Sequence, residues 1–99
     1  MNKNVNNSTE IIMKQKVNNS IEIIHNFLDL IYDNIDKCYN LIEDYHDKSI
    51  NEITSDDFDK EKFNSICDWK FKIERSLEGL YDKKKEMEIH LEFSKIINL

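Results

Sequence analysis

At 99 residues and a net charge of −6, the chain has room for one small domain with a thin core, of the kind often completed by a partner or a second copy. Proline is absent and Gly79 is the only glycine, which removes the strongest helix breakers and the usual hairpin-turn residues together and favours helix over sheet. A glycine-rich phosphate loop is thereby excluded, and the acidic balance argues against nucleic acid as a partner, since the one basic cluster, Lys83-Lys84-Lys85, sits among Asp82, Glu86 and Glu88 and reads as a solvated helix face.

Alanine is missing, Arg75 is the only arginine, and Asn, Ile, Lys and Asp dominate. An A/T-rich genome encodes this usage, so the asparagines carry no functional reading. Residues 1–5 show no apolar stretch behind a basic start, and no run approaches the length that crosses a bilayer; a soluble intracellular protein of cytoplasm or nucleus is expected. Cys38 and Cys67 make neither a metal-type spacing nor a disulfide framework, and reduced, buried thiols are expected.

Residues 1–7 are polar and unpatterned and are expected to fray. The eight residues 5–12 (VNNSTEII) recur twelve positions later at 17–24 as VNNSIEII. On one helix that offset turns the second copy by about 120°, so both copies cannot serve one seam. Residues 8–18 therefore read as a weaker helical lead-in. Asn19 or Ser20, with Glu22 behind, caps the organised part, which is expected to run to about residue 47. Its apolar seam, Ile21, Ile24, Leu28, Ile31, Ile35, Cys38, Ile42 and Tyr45, alternates steps of three and four as a coiled-coil stripe does.

Residues 48–57 (KSINEITSDD) collect Ser, Asn, Thr and Asp and are expected as the loop. Asp56 or Asp57 then caps a second helix over about 58–97, with Asp57 and Asp59 suiting its positive end. Its seam is Phe63, Ile66, Ile73, Leu77, Leu80, Met87 and Leu91, with Lys70 and Lys84 at two further seam positions. An antiparallel register that pairs Tyr45 with Phe63, Ile42 with Ile66, Ile35 with Ile73, Ile31 with Leu77, Leu28 with Leu80, Ile21 with Met87 and Val17 with Leu91 fits a loop at 48–57. It also sets Lys70 opposite Cys38 and Lys84 opposite Ile24, where long lysines reach water from the seam.

The expected fold is thus all-α: one domain over 8–99 built from two long antiparallel helices, a helical hairpin of coiled-coil type completed by oligomerisation or a partner. Two alternatives remain open at this level. Residues 69–73 (WKFKI) and 87–93 (MEIHLEF) alternate apolar and polar as half-buried strands do, which would give an α+β chain with a C-terminal β-hairpin. A break near Asn18 would instead let the chain fold back into a three-helix core.

Chemistry is sparse. His25, His46 and His90 are scattered, no His-x-x-x-His pair occurs, and no nucleophile–base constellation appears, so no catalytic residue, cofactor or metal site is expected and the chain reads as a non-enzyme. The proposed register brings Cys67 near Cys38 and His46, but a thiol on a helix seam ordinarily behaves as a small buried hydrophobe. The informative excess is apolar. Phe27, Leu30, Tyr39 and Leu41 on the first helix and Trp69, Ile89 and Phe93 on the second lie outside the seam, where a two-helix coil carries charges. Ile23, Tyr32, Phe71, Ile96 and Ile97 add to it.

Two helices cannot bury all of this, and a patch of that extent marks an interface. The expected function is a helical scaffold or adaptor subunit that acts by protein–protein contact, with a partner protein or with its own copies. The rival reading is a small acidic inhibitor or regulator of viral or mobile-element type, binding one host protein through the same faces or through Asp56, Asp57 and Asp59. In length and hairpin shape the chain is similar to the small secreted helical hairpins that turn on a Trp-x-Gly motif, but residues 48–57 hold neither Trp nor Gly and Trp69-Lys70-Phe71 falls inside the second helix, so that family is not assigned.

Overall fold

The alternating steps of three and four emerge as two helices: α1, Asn2–Ile53, and α2, Lys60–Ile97. A computed structural model describes the backbone of residues 2–97 and the side chains of residues 9–97. No strand occurs among the described residues, and the fold is all-α, a helical hairpin. The strand alternative fails because residues 69–73 and 87–93 both lie inside α2. Their two-residue alternation is local, whereas Ile66, Ile73, Leu77 and Leu80 keep the helical period through the first of them and bury one continuous stripe. The three-helix alternative fails as well, since α1 runs unbroken through Asn18. The backbone of α1 is helical from Asn2, within the stretch expected to fray; the side chains of 1–8 lie outside the described residues.

Both seams are where the heptads place them. Leu28, Ile31, Ile35 and Leu91 are buried, and Ile21, Ile24, Cys38, Ile42 and Tyr45 on α1 and Phe63, Ile66, Ile73, Leu77, Leu80 and Met87 on α2 are half-buried, as are Lys70 and Lys84. Each buried Leu or Ile contributes roughly 1.5–3 kcal/mol, so this is a thin core.

The loop is shorter than expected. Residues 48–53 continue α1, because their polar side chains bond within the helix instead of breaking it. Ser49 is buried on the seam, and its hydroxyl donates to the His46 carbonyl at 2.6 Å. Glu52, one turn on, is also buried. A carboxylate is unfavourable at a helix C-terminus, but this one reaches across the turn: Oε1 accepts the Asp59 N–H at 2.9 Å and Oε2 lies 3.4 Å from Lys62 Nζ. The acid of α1 is therefore held by the positive end of α2.

Closure of the turn follows the same local chemistry. Thr54 N–H donates to the Ile50 carbonyl at 3.0 Å, Thr54 Oγ1 to the same oxygen at 2.8 Å, and Ser55 N–H to the Glu52 carbonyl at 3.2 Å. The cap of α2 is Asp59, not Asp56 or Asp57. Its Oδ1 accepts from the N–H groups of Glu61 and Lys62 at 3.0 and 3.3 Å, the N2 and N3 donors that a capping side chain satisfies. Phe58 before the cap packs on Phe63 four residues after it, with ring centroids 5.8 Å apart, a hydrophobic staple.

The added turns of α1 shift the pairing. The helices contribute to two units, Ile31–Lys83, and Met1–Leu30 with Lys84–Leu99. Within Ile31–Lys83, Cys38 and Leu41 line one depression with Ser76, Gly79 and Leu80, and Tyr45 and Glu52 line another with Lys62, Ile66 and Trp69. The expected register set Cys38 opposite Lys70, which would place Leu80 about 15 Å further along the axis at ~1.5 Å per residue. In this unit the pairing is therefore displaced by about one heptad, and Ser49 and Glu52 become seam layers. Lys70 lies with its Nζ 3.2 Å from His46 Nδ1. In the other unit Leu28 and Leu91 form the buried centre, flanked by half-buried Val17, Ile21, Ile24 and Met87.

Candidate interaction surface

A heptad written on each helix sorts the remaining side chains by edge. In Ile31–Lys83, the a positions are Ile35, Ile42 and Ser49 on α1 and Phe63, Lys70 and Leu77 on α2; the d positions are Ile31, Cys38, Tyr45 and Glu52, then Ile66, Ile73 and Leu80. The e edge is closed by polar contacts between the helices. Tyr39 and Tyr81 share a hydroxyl–hydroxyl hydrogen bond of 2.7 Å, and His46 and Lys70 meet about two turns of α1 further on. The bond to Tyr81 raises the Tyr39 pKa above its ordinary value of 10.0, with smaller contributions from desolvation and from the Tyr81 charge. The proton is held because the neutral hydroxyls bond to each other.

The opposite edge, g with c, is open. It carries both depressions, about 530 Å³ beside Tyr45, Ile66 and Trp69 and about 680 Å³ beside Cys38, Leu41 and Leu80. Its apolar floor lies between lysines: Lys37 and Lys83 at one depression, Lys48 and Lys62 at the other. Lys72 sits over the Trp69 ring with Nζ 4.8 Å from the centroid, and Lys48 over the Tyr45 ring at the same distance. Asp44, 3.2 Å from Lys48, is the one carboxylate at the g and c positions of this unit, with Glu52 below it on the seam. The other helical carboxylates of the unit occupy b, e and f, among them Asp36, Glu43, Asp68, Glu78 and Asp82. An acidic chain thus keeps one apolar edge rimmed with positive charge.

The residues expected to form an interface are all open to solvent, with Phe27, Leu30, Tyr39, Leu41, Trp69, Ile89 and Phe93 between 45% and 63% exposed. They fall into separate groups. Leu41 and Trp69 share the g edge of Ile31–Lys83, and Tyr39 lies on its e edge, bound to Tyr81. Phe27, Leu30, Ile89 and Phe93 belong to the other unit, where Ile23, Ile96 and Ile97 are exposed as well. The exposed Ile11 and Ile12 of the first repeat and Met13 just after it were not singled out in sequence, because that stretch lies outside the organised heptads. The segregation of charge was also missed, although assigning a heptad letter to each Lys, Asp and Glu would have shown it.

Both thiols are free, and no group of three or more His, Cys, Asp or Glu suited to a metal ion occurs among the described residues. No described helix is long and apolar enough to cross a membrane. The chain matches no protein-family profile, no curated protein and no solved structure.

Proposed function

We propose that the protein is a non-enzymatic helical scaffold or adaptor subunit, acting by burial of its exposed apolar side chains against another helical chain. One observation carries this reading: with both seams filled, large apolar residues remain more than half exposed, among them Phe27, Leu30, Trp69, Ile89 and Phe93. Complete burial of such a side chain contributes roughly 1.5–3 kcal/mol, of which only part is realised at these exposures, and a contact that covers several of them is correspondingly favourable. The rival reading, a small acidic regulator that binds one host protein through the same faces or through Asp56, Asp57 and Asp59, draws on the same exposed side chains, but of its three loop carboxylates Asp59 is engaged in capping α2.

The test is purification of the tagged chain from its native cells, followed by mass spectrometry of whatever stays bound. Wild type retains a partner protein or additional copies of itself, and Phe27→Ser with Phe93→Ser loses them while circular dichroism shows the helix content kept. An identical bound set for both chains, or none for either, overturns the proposal.

A further inference from the structure

Resting on that reading, the geometry points to an acidic amphipathic helix as the occupant of the open g edge of Ile31–Lys83, seated between α1 and α2 as a third helix. Helices of a bundle carry apolar residues at a, d and either e or g, and here Leu41 and Trp69 supply the g positions that a two-helix coil does not require. Ser76 and Gly79 line the depression beside Leu41, and a Cβ placed at Gly79 would meet nothing within 4 Å, so a backbone can approach closely there. From Asn34 to Asn51 the two depressions together span about 25 Å of α1 at ~1.5 Å per residue, the length of some five helical turns.

Charge selects the occupant. Lys37, Lys48, Lys62, Lys72 and Lys83 border the groove against Asp44 and the seam acid Glu52, so a helix with carboxylates flanking its apolar stripe meets opposite charge along both rims. A second copy presenting the same edge would set lysine against lysine, which disfavours a symmetric dimer here.

Trp69 is the only tryptophan and reports occupancy directly. The probe is a synthetic tryptophan-free helix of about three heptads with leucine at a and d and glutamate at e and g, titrated into the full chain. Binding shifts Trp69 emission to the blue, weakens as salt rises from roughly 0.05 to 0.5 M, and falls at least about tenfold in Lys37→Glu with Lys72→Glu. Lys60→Glu with Lys85→Glu, an equal charge change at exposed positions off the groove, leaves it unaltered, and unchanged circular dichroism shows that each variant is folded. Equal binding of a lysine-flanked version of the probe, no shift of Trp69, or a response only to phosphatidylserine vesicles overturns the inference. If the probe fails while a Phe27- and Phe93-dependent partner is still recovered, the acidic helix alone is wrong; loss of both removes the scaffold reading too.

Discussion

Glu52 and Tyr39 show how single polar groups hold two thin helices together. Glu52 is buried, and its carboxylate joins the Asp59 N–H to Lys62 across the turn. Glu52→Ala leaves the backbone donor without its charged partner and should cost about 1–3 kcal/mol in chemical denaturation, whereas Asp56→Ala, on the exposed turn, should change the midpoint little. Tyr39 acts through its proton. Because Tyr81 raises its pKa above the ordinary 10.0, the folded state holds that proton more tightly than the unfolded chain. The stabilisation is complete below pH 10 and is lost as pH rises through the raised value. Tyr39→Phe should therefore remove part of the alkaline loss of stability, read by denaturation at pH values on either side of 10.

At the scale of the element, the heptad pattern predicts both seams residue by residue, because burial of a stripe is what periodicity encodes. Ile31→Asp, a charge at a buried layer, should unfold the chain at a cost of several kcal/mol, against no comparable change for Asp47→Asn on the exposed face. The turn was less legible. Ser49, Asn51 and Thr54 suggest a loop by composition, yet Ser49 and Thr54 bond back to carbonyls of their own helix, and the signal that does mark the boundary is the pairing of Phe58 with Phe63 around Asp59. Misplacing the turn moved the register by about a heptad, since any two heptad stripes align at every seventh residue. Gly79→Ala should stabilise α2 by about 0.5–1 kcal/mol, because glycine is the poorer helix former and the added methyl meets open space. The same change should weaken the binding of an acidic helix in the g groove.

At the scale of the whole molecule, apolar residues outside the seam were recognisable in the sequence, because heptad position alone separates Phe27 and Trp69 from Leu28 and Ile66. What covers them was not, since a partner leaves no periodicity of its own in this chain. The scaffold proposal requires the claim that these exposed side chains are contact surface. Hydroxyl-radical footprinting, comparing the assembly purified from native cells with the isolated chain, tests that claim most directly. Phe27, Leu30, Trp69 and Phe93 should lose reactivity in the assembly while Ile50, exposed on the b face of α1, keeps it; equal labelling of all five in both samples would rule out the scaffold proposal.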